Sequence, residues 1–198
     1  MGVDDVLRPG GILDALEAVR GQGLARFIGL TAAGEAAACR EVIASGRCDA
    51  AQVYYNMLNP SAARASGTAI PGHDNAGLIA ACKEHGAGVM AIRVLAAGVL
   101  ATELRHGREG PPMMDDSEIA DEEARARQAL ALLEIDAEGN TAYGARAQAA
   151  LRYVLANPDV SCAVVGLATL EHLEAALVAA EMGPLPAAAV ARLDARFS

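Results

Sequence analysis

Four short apolar runs recur along this chain, each followed by a stretch with helical spacing, and that alternation limits the fold more than any other feature. The runs are residues 27–30, 51–55, 87–95 and 161–169. They are rich in Val, Ile and Ala and carry no apolar–polar alternation, as parallel strands covered on both faces do. Between and around them lie expected helices at 10–23, 34–45, 76–85, 119–134, 142–156, 170–182 and 187–197. Their stops are written in Gly21 and Gly23, Gly46, Gly86, and the pair Asn157-Pro158. The order is helix, then strand and helix four times over, which predicts an α/β fold with a parallel sheet. With 198 residues, of which 53% are hydrophobic and only 3% aromatic, the core has to be built from Ala, Val, Leu and Ile.

Two architectures share this pattern, a doubly wound sheet and a (β/α) barrel. The ends of the four runs decide between them. They deliver Thr31, the stretch Gln52 to Asn56, Arg93, and Gly166 to Thr169. A nucleotide-binding doubly wound sheet carries a G-x-G-x-x-G turn after its first strand, and "GLTAAG" lacks that spacing. A receiver-like domain needs acids at its strand ends, and there are none. Polar groups at every C-terminal strand end are what the active face of a barrel supplies. A full barrel needs eight strands, and this chain offers about four.

Charge and cysteine usage narrow the function classes. A formal net charge of −9 argues against nucleic acid as a partner, because phosphate backbones need a basic surface. Cys39, Cys48, Cys82 and Cys162 are scattered without a C-x-x-C, which predicts free thiols in a reducing cytoplasm. No apolar run reaches the roughly 18 residues of a membrane span, and no signal-like segment leads the chain. A soluble, cytoplasmic protein without a membrane partner is therefore expected. His85, His106 and His172 have no ligand spacing, so no metal site is expected. His73 falls in the loop after the second run, where it meets either substrate or solvent.

The blocks "GGILDALEAVRGQGLARFIGLT", "AAQVYYNMLNPSA", "HGAGVMAIRVLAAGVLA" and "AALRYVLANPDVSCAVVGLATLEHLEAAL" resemble, in that order, the second half of an aldo-keto reductase. The likeness runs from Pro9 to about Leu185 and is closest to bacterial aldose-dehydrogenase-like members. It implies that residues 1–198 form one domain, the C-terminal half of a (β/α)8 TIM barrel holding strands five to eight. It also implies an NAD(P)-dependent oxidoreductase that interconverts a carbonyl and an alcohol in an aldehyde or sugar-like substrate. Thr31 stands where the family places a Ser or Thr beside the nicotinamide carboxamide, and Gln52 matches the glutamine that holds the same group. Arg93, Leu95 and Gly98 match the loop under the nicotinamide and pyrophosphate, with Arg93 where many relatives stack an aromatic ring. Gly166, Leu167, Ala168, Thr169 and His172 match the adenosine-phosphate site. Basic residues that grip the 2′-phosphate in NADP-preferring relatives fall on Gly166 and His172, so NAD stays as open as NADP. The catalytic Asp, Tyr, Lys and His of the family lie on its first four strands, and no catalytic residue is carried over to this chain.

Taken without the resemblance, the same residues have plainer readings. Thr31 also suits a helix N-cap, and Gln52 a satisfied core amide. Arg93, set among apolar neighbours, has to point into a site or reach a strand-end carboxylate. The run "DDSEIADEEARAR" reads as a solvated helix face with i to i+4 acid–base pairs. Two functions stay open: the cofactor-binding half of a reductase, inactive alone, or a non-enzymatic half-barrel that binds a nucleotide or dimerises. Four strands with two open edges also predict self-association, with Val53, Val89 and Val164 as the inner face left toward water.

Overall fold

The computed structural model describes residues 2–64, 74–102 and 116–197. The first half runs α1 (Val3–Leu7), α2 (Ile12–Gly21), β1 (Gly29–Thr31), α3 (Ala36–Ala44), β2 (Ala50–Tyr54), α4 (Leu78–Glu84) and β3 (Gly88–Ile92). The second runs α5 (Asp116–Leu132), β4 (Asn140–Thr141), β5 (Gly144–Ala145), α6 (Arg146–Leu155), β6 (Cys162–Ala163), α7 (Leu170–Met182) and α8 (Ala187–Arg196). The α/β pattern of the sequence is thus present, with one four-stranded sheet in the order β1-β2-β3-β6. By their contacts the described residues divide into two compact units. One holds those within Met1–Tyr55, Ser61–Ile92 and Pro158–Cys162, and the other those within Asn56–Pro60, Arg93–Asn157 and Ala163–Ser198.

In the first unit β1, β2 and β3 pair in parallel, with Thr31 opposite Gln52 and Gln52 opposite Met90. Side chains alternate across a strand, so Ala51 and Val53 point to one face together with Val89 and Ala91, and all four are buried. That face meets the helical layer: α4 packs on β2 and β3, and α3 packs beside α4. Below it, Leu13 of α2, Val42 of α3 and Cys48 form a core closed by Val3, Val6 and Leu7 of α1. Gly29 is required where β1 meets β2, because a Cβ there would overlap the carbonyl of Ala50.

One carboxylate fixes the register. Asp49 Oδ2 accepts the Ile28 amide at 2.8 Å and Arg20 Nη1 at 3.0 Å. The Asp49 backbone closes the same junction, its amide reaching Ile28 O at 2.8 Å and its carbonyl accepting the Gly88 amide at 2.9 Å. Nearby, Arg47 grips Glu17 at 2.9 and 2.6 Å and Asp14 at 2.5 Å. Those hydrogen bonds from Arg47 hold both carboxyls below their ordinary pKa and raise that of the guanidinium.

The second unit is helical. α6 buries six consecutive residues, 149–154, which only a helix enclosed on several sides can do. Among them is Arg152, whose guanidinium donates to the carbonyls of Tyr143 at 2.6 Å, Gly183 at 2.8 Å and Pro184 at 3.3 Å. Tyr153 is fully buried and its hydroxyl donates to Asp194 at 2.6 Å. α7 packs on α6, and α8 on α5.

Several expectations change. The first strand is Gly29–Thr31 rather than 27–30, because the ladder begins where β2 begins, not where the apolar run does. The fourth strand shrinks from 161–169 to Cys162–Ala163. α1 and the β4–β5 hairpin carry no hydrophobic period long enough to announce them. Val53 and Val89 do not face water: they are 0% and 1% exposed, turned toward the helices, while Val164 is exposed as expected. The acidic helix is not solvated all round, since Glu122 on α5 is 5% exposed. All four cysteines are free, and burial pushes the Cys82 thiol up to about 11. No single helix among the described residues is long and apolar enough to cross a membrane. His73 and His106 lie outside the described residues.

Replacing Asp49 with Ala removes the acceptor for Ile28 and the partner of Arg20 together. A loss of about 1–3 kcal/mol is expected, read as a lowered urea midpoint with an unchanged slope. Asp49→Asn keeps an oxygen for Ile28 and gives up only a half-exposed ion pair, so it should retain most of the stability.

Candidate functional site

The buried face of the sheet leaves the opposite face of β1, β2 and β3 for ligands. Gly29, Thr31, Ala50, Gln52 and Met90 share it by strand alternation and register. Together with Phe27 they line an open depression of about 310 Å³. That volume is at the small end of ligand pockets, with room for one small ring.

The fold brings Thr31 and Gln52 together. They are register partners, and Thr31 Oγ1 donates to Gln52 Oε1 at 3.0 Å. Thr31 is not a helix cap: the N-cap of α3 is Glu35. Gln52 is not a core amide either, since it is only half-buried and its bond to Thr31 is exposed. Among the described residues the Gln52 amide nitrogen has no acceptor, and the Thr31 oxygen still has lone pairs to offer. The pair therefore presents one donor and one acceptor side by side, the complement of a planar amide.

In the second unit, the segment after β3 turns sharply. Arg93, Ala96 and Ala97 sit at φ of 57°, 46° and 52°, and Gly98 at 99°. The left-handed region costs a residue other than glycine about 1 kcal/mol or more, so three in five positions need a strong tether. Asn56 provides it. Fully buried, it donates from Nδ2 to the Arg93 carbonyl at 2.8 Å and accepts the Leu58 and Asn59 amides at 2.9 and 3.0 Å. The Ala96 amide reaches the same Arg93 carbonyl at 2.8 Å. Leu95 and Gly98 lie on this turn, partly exposed, while Val94, Ala96 and Leu100 anchor it inside. Asn56 was not among the predicted site residues. Its signal was the Asn that ends "QVYYN", an Asx turn before Asn59-Pro60.

Also in the second unit, residues 166–169 run exposed into α7. Thr169 caps the helix, its Oγ1 accepting the His172 amide at 3.3 Å, and the Ala168 amide donates to His172 Nδ1 at 3.4 Å. His172 is thus turned back on the chain rather than free of it. Glu171 occupies the same helix opening. Its carboxyl is held below its ordinary pKa, first by its own backbone amide and then by the Thr169 hydroxyl. A helix N-terminus favours an anion, and here a side chain of the protein already supplies one. Gly166 has open space around it on the side a Cβ would take. Among the described residues no group of three His, Cys, Asp or Glu stands together as a metal site.

The sequence model described as "Aldo/keto reductase family" matches residues 8–196. No curated protein matches the chain. Among solved structures it is similar to an aldo-keto reductase from Bacillus halodurans. The holo form is 17% identical with a TM-score of 0.64, covering 94% of this chain and 55% of that one. The apo form is 18% identical with a TM-score of 0.64 over 92% and 55%. An aldo-keto reductase from Klebsiella pneumoniae in complex with NADPH is 21% identical, TM-score 0.57, over 93% and 52%. The chain spans a little over half the length of these solved relatives, and at such identities the likeness speaks for the fold.

Because the Thr31–Gln52 bond is exposed, it contributes little to stability. Thr31→Val and Gln52→Leu should each shift the unfolding free energy by no more than about 0.5 kcal/mol. Thermal and urea denaturation of the two variants check this, and a larger loss would make the pair a structural element instead of a binding one.

Proposed function

Because the chain belongs to the aldo/keto reductase family, we propose that it forms the cofactor-holding part of an NAD(P)-dependent oxidoreductase, built as strands five to eight of a (β/α)8 barrel. The family and its NADPH-bound neighbour support an oxidoreductase. The reaction on this reading is hydride transfer between a nicotinamide and a small carbonyl or sugar-like substrate. The single observation that carries it is the Thr31–Gln52 pair, which matches the donor and acceptor of a carboxamide.

The nicotinamide, when bound, supplies or takes up the hydride. What this chain contributes is orientation. The Gln52 amide nitrogen would donate to the carboxamide oxygen, and Thr31 Oγ1 would accept from its nitrogen. By the family resemblance the turn of Arg93, Leu95 and Gly98, held in its left-handed shape by Asn56, would serve the nucleotide. Residues 166–169 and His172 receive the adenosine end. We assign no catalytic residue within the chain, so the proton donor to the carbonyl comes from elsewhere in the active assembly. Four free thiols fit a reducing cytoplasm.

Cofactor choice follows from the opening of α7. Glu171 holds a negative charge at the opening of α7, the segment that the resemblance assigns to the adenosine phosphate, and Gly166 offers no cation. NADPH and NADH should therefore bind within about tenfold of each other, a difference of about 1.4 kcal/mol.

The test is titration of the chain with each cofactor, followed by nicotinamide fluorescence. Gln52→Leu and Thr31→Val should each weaken both cofactors by roughly tenfold, as for one or two lost hydrogen bonds. Carbonyl reduction by the chain alone should be absent. Turnover would place the proton donor within these residues. Binding that ignores both substitutions would remove the pair from the site. A preference of about a thousandfold for NADPH, about 4 kcal/mol, would mean another group grips the 2′-phosphate.

A further inference from the structure

Backbone strain in this chain is concentrated. Among the described residues four that are not glycine have a positive φ, and three of them, Arg93, Ala96 and Ala97, share one turn. Apart from Glu134, the remaining left-handed positions fall to glycine, which adopts them without the cost of a Cβ. Left-handed backbone at residues that carry a Cβ persists only where the surroundings over-determine it, and it collects at ligand sites. Inside the turn, the Ala96 amide donates to the Arg93 carbonyl at 2.8 Å and the Gly98 amide to the Leu95 carbonyl at 2.9 Å. Ala97 is exposed, so packing does not hold its φ of 52°.

From outside the turn, Asn56 Nδ2 donates to the same Arg93 carbonyl at 2.8 Å. That donor is aimed by the rest of the side chain. Asn56 Oδ1 accepts the Leu58 and Asn59 amides at 2.9 and 3.0 Å, and the Asn56 backbone bridges Asn59 in both directions. Turning the amide over would set its NH2 against those two N–H groups and its oxygen against the Arg93 carbonyl. The donor therefore has one direction. Asn56, Asn59 and the turn all belong to the same compact unit.

We propose that Asn56 is a positioning residue for the ligand of the 93–98 turn. Its Nδ2 donor, with no contact to the ligand itself, keeps that turn in the left-handed shape that receives the nucleotide. This role rests on the nucleotide reading of the turn given above and adds to it the side chain that controls affinity. A packing role would leave affinity untouched as long as the chain folds. A positioning role makes affinity depend on how well the turn keeps its φ values. The two functions of the side chain are separable, because Asn56→Asp keeps an oxygen for Leu58 and Asn59 and loses only the hydrogen that Arg93 accepts.

The test is titration of the 198-residue protein with NADH and NADPH, read by nicotinamide fluorescence, with circular dichroism to verify folding. Asn56→Asp should raise both dissociation constants by about tenfold, as for one lost hydrogen bond. It should also speed amide hydrogen exchange at Ala96 and Gly98 while exchange within α6 stays as it was. Adding Ala97→Gly should recover at least about threefold of the lost affinity, because glycine holds a positive φ without help. The same glycine should gain much less in the unaltered chain, whose turn is already held. Ala97→Val, at an exposed position away from the core, should weaken binding with Asn56 intact, because a β-branched residue resists a positive φ. It answers the question even if Asn56→Asp does not fold. Affinity indifferent to Asn56→Asp or to Ala97→Val, or a loss that Ala97→Gly does not recover, overturns the proposal and leaves Asn56 a packing residue. Failure of the unaltered chain to bind either cofactor overturns the nucleotide reading itself, and the role of Asn56 with it.

Discussion

Asp49 is the point on which the first unit turns. Its carboxylate and backbone together bind Ile28, Arg20 and Gly88, so one residue ties α2, the approach to β1, and the start of β3. The effect is a fixed register. A slip of one residue in a strand sends every side chain to the other face. In β1 such a slip would carry Thr31 away from Gln52 and put Leu30 in its place. The candidate ligand pair is therefore a consequence of a carboxylate at the opposite end of the strands, which touches neither member of it.

The second unit uses another device. Arg152 is buried, and a buried guanidinium is costly unless its donors are used. Here three carbonyls from two separate loops use them. Those loops are the turn between β4 and β5 and the connection from α7 to α8. The cation thereby sets where α7 ends, while Thr169 sets where it begins. Small side chains at Ala175, Ala176 and Ala179 let the helix lie close on α6, which leaves its leucines on the outward side.

The three candidate segments owe their shapes to three kinds of local order. The Thr31–Gln52 pair comes from strand register. The turn at Arg93 comes from a buried Asn56 that compensates left-handed backbone with hydrogen bonds. The opening of α7 comes from a side-chain cap and a carboxylate that occupies the positive helix end. In the first, the Gln52 amide nitrogen keeps its donors, whereas in the second the Arg93 carbonyl already accepts two hydrogen bonds and holds the turn. The third is already satisfied from within the chain.

The order of strands and helices was legible from residue types because Gly, Pro and apolar runs act locally. α7 has the same bounds in both, since Thr169 starts it and Gly183 stops it. Thr31 stood out in the sequence as the polar residue that ends an apolar run, and Gln52 as a polar residue inside one. Other features needed the fold. Which side of β2 and β3 is buried could not be read, because apolar residues occupy both sides, Ala51, Val53, Val89 and Ala91 on one and Ala50, Met90 and Ile92 on the other, and only the position of α4 separates them. Val53 and Val89 were assigned the wrong way for that reason. Asn56 and Arg152 acquire their roles from carbonyls distant in sequence, and Glu122 is buried on a helix whose composition reads as solvated. By itself the sequence determined which segments are strand and helix and which side chains stand at strand ends, since those depend on near neighbours. Only the tertiary structure decided which faces are covered and which polar groups meet, because both depend on residues the chain brings together from far apart.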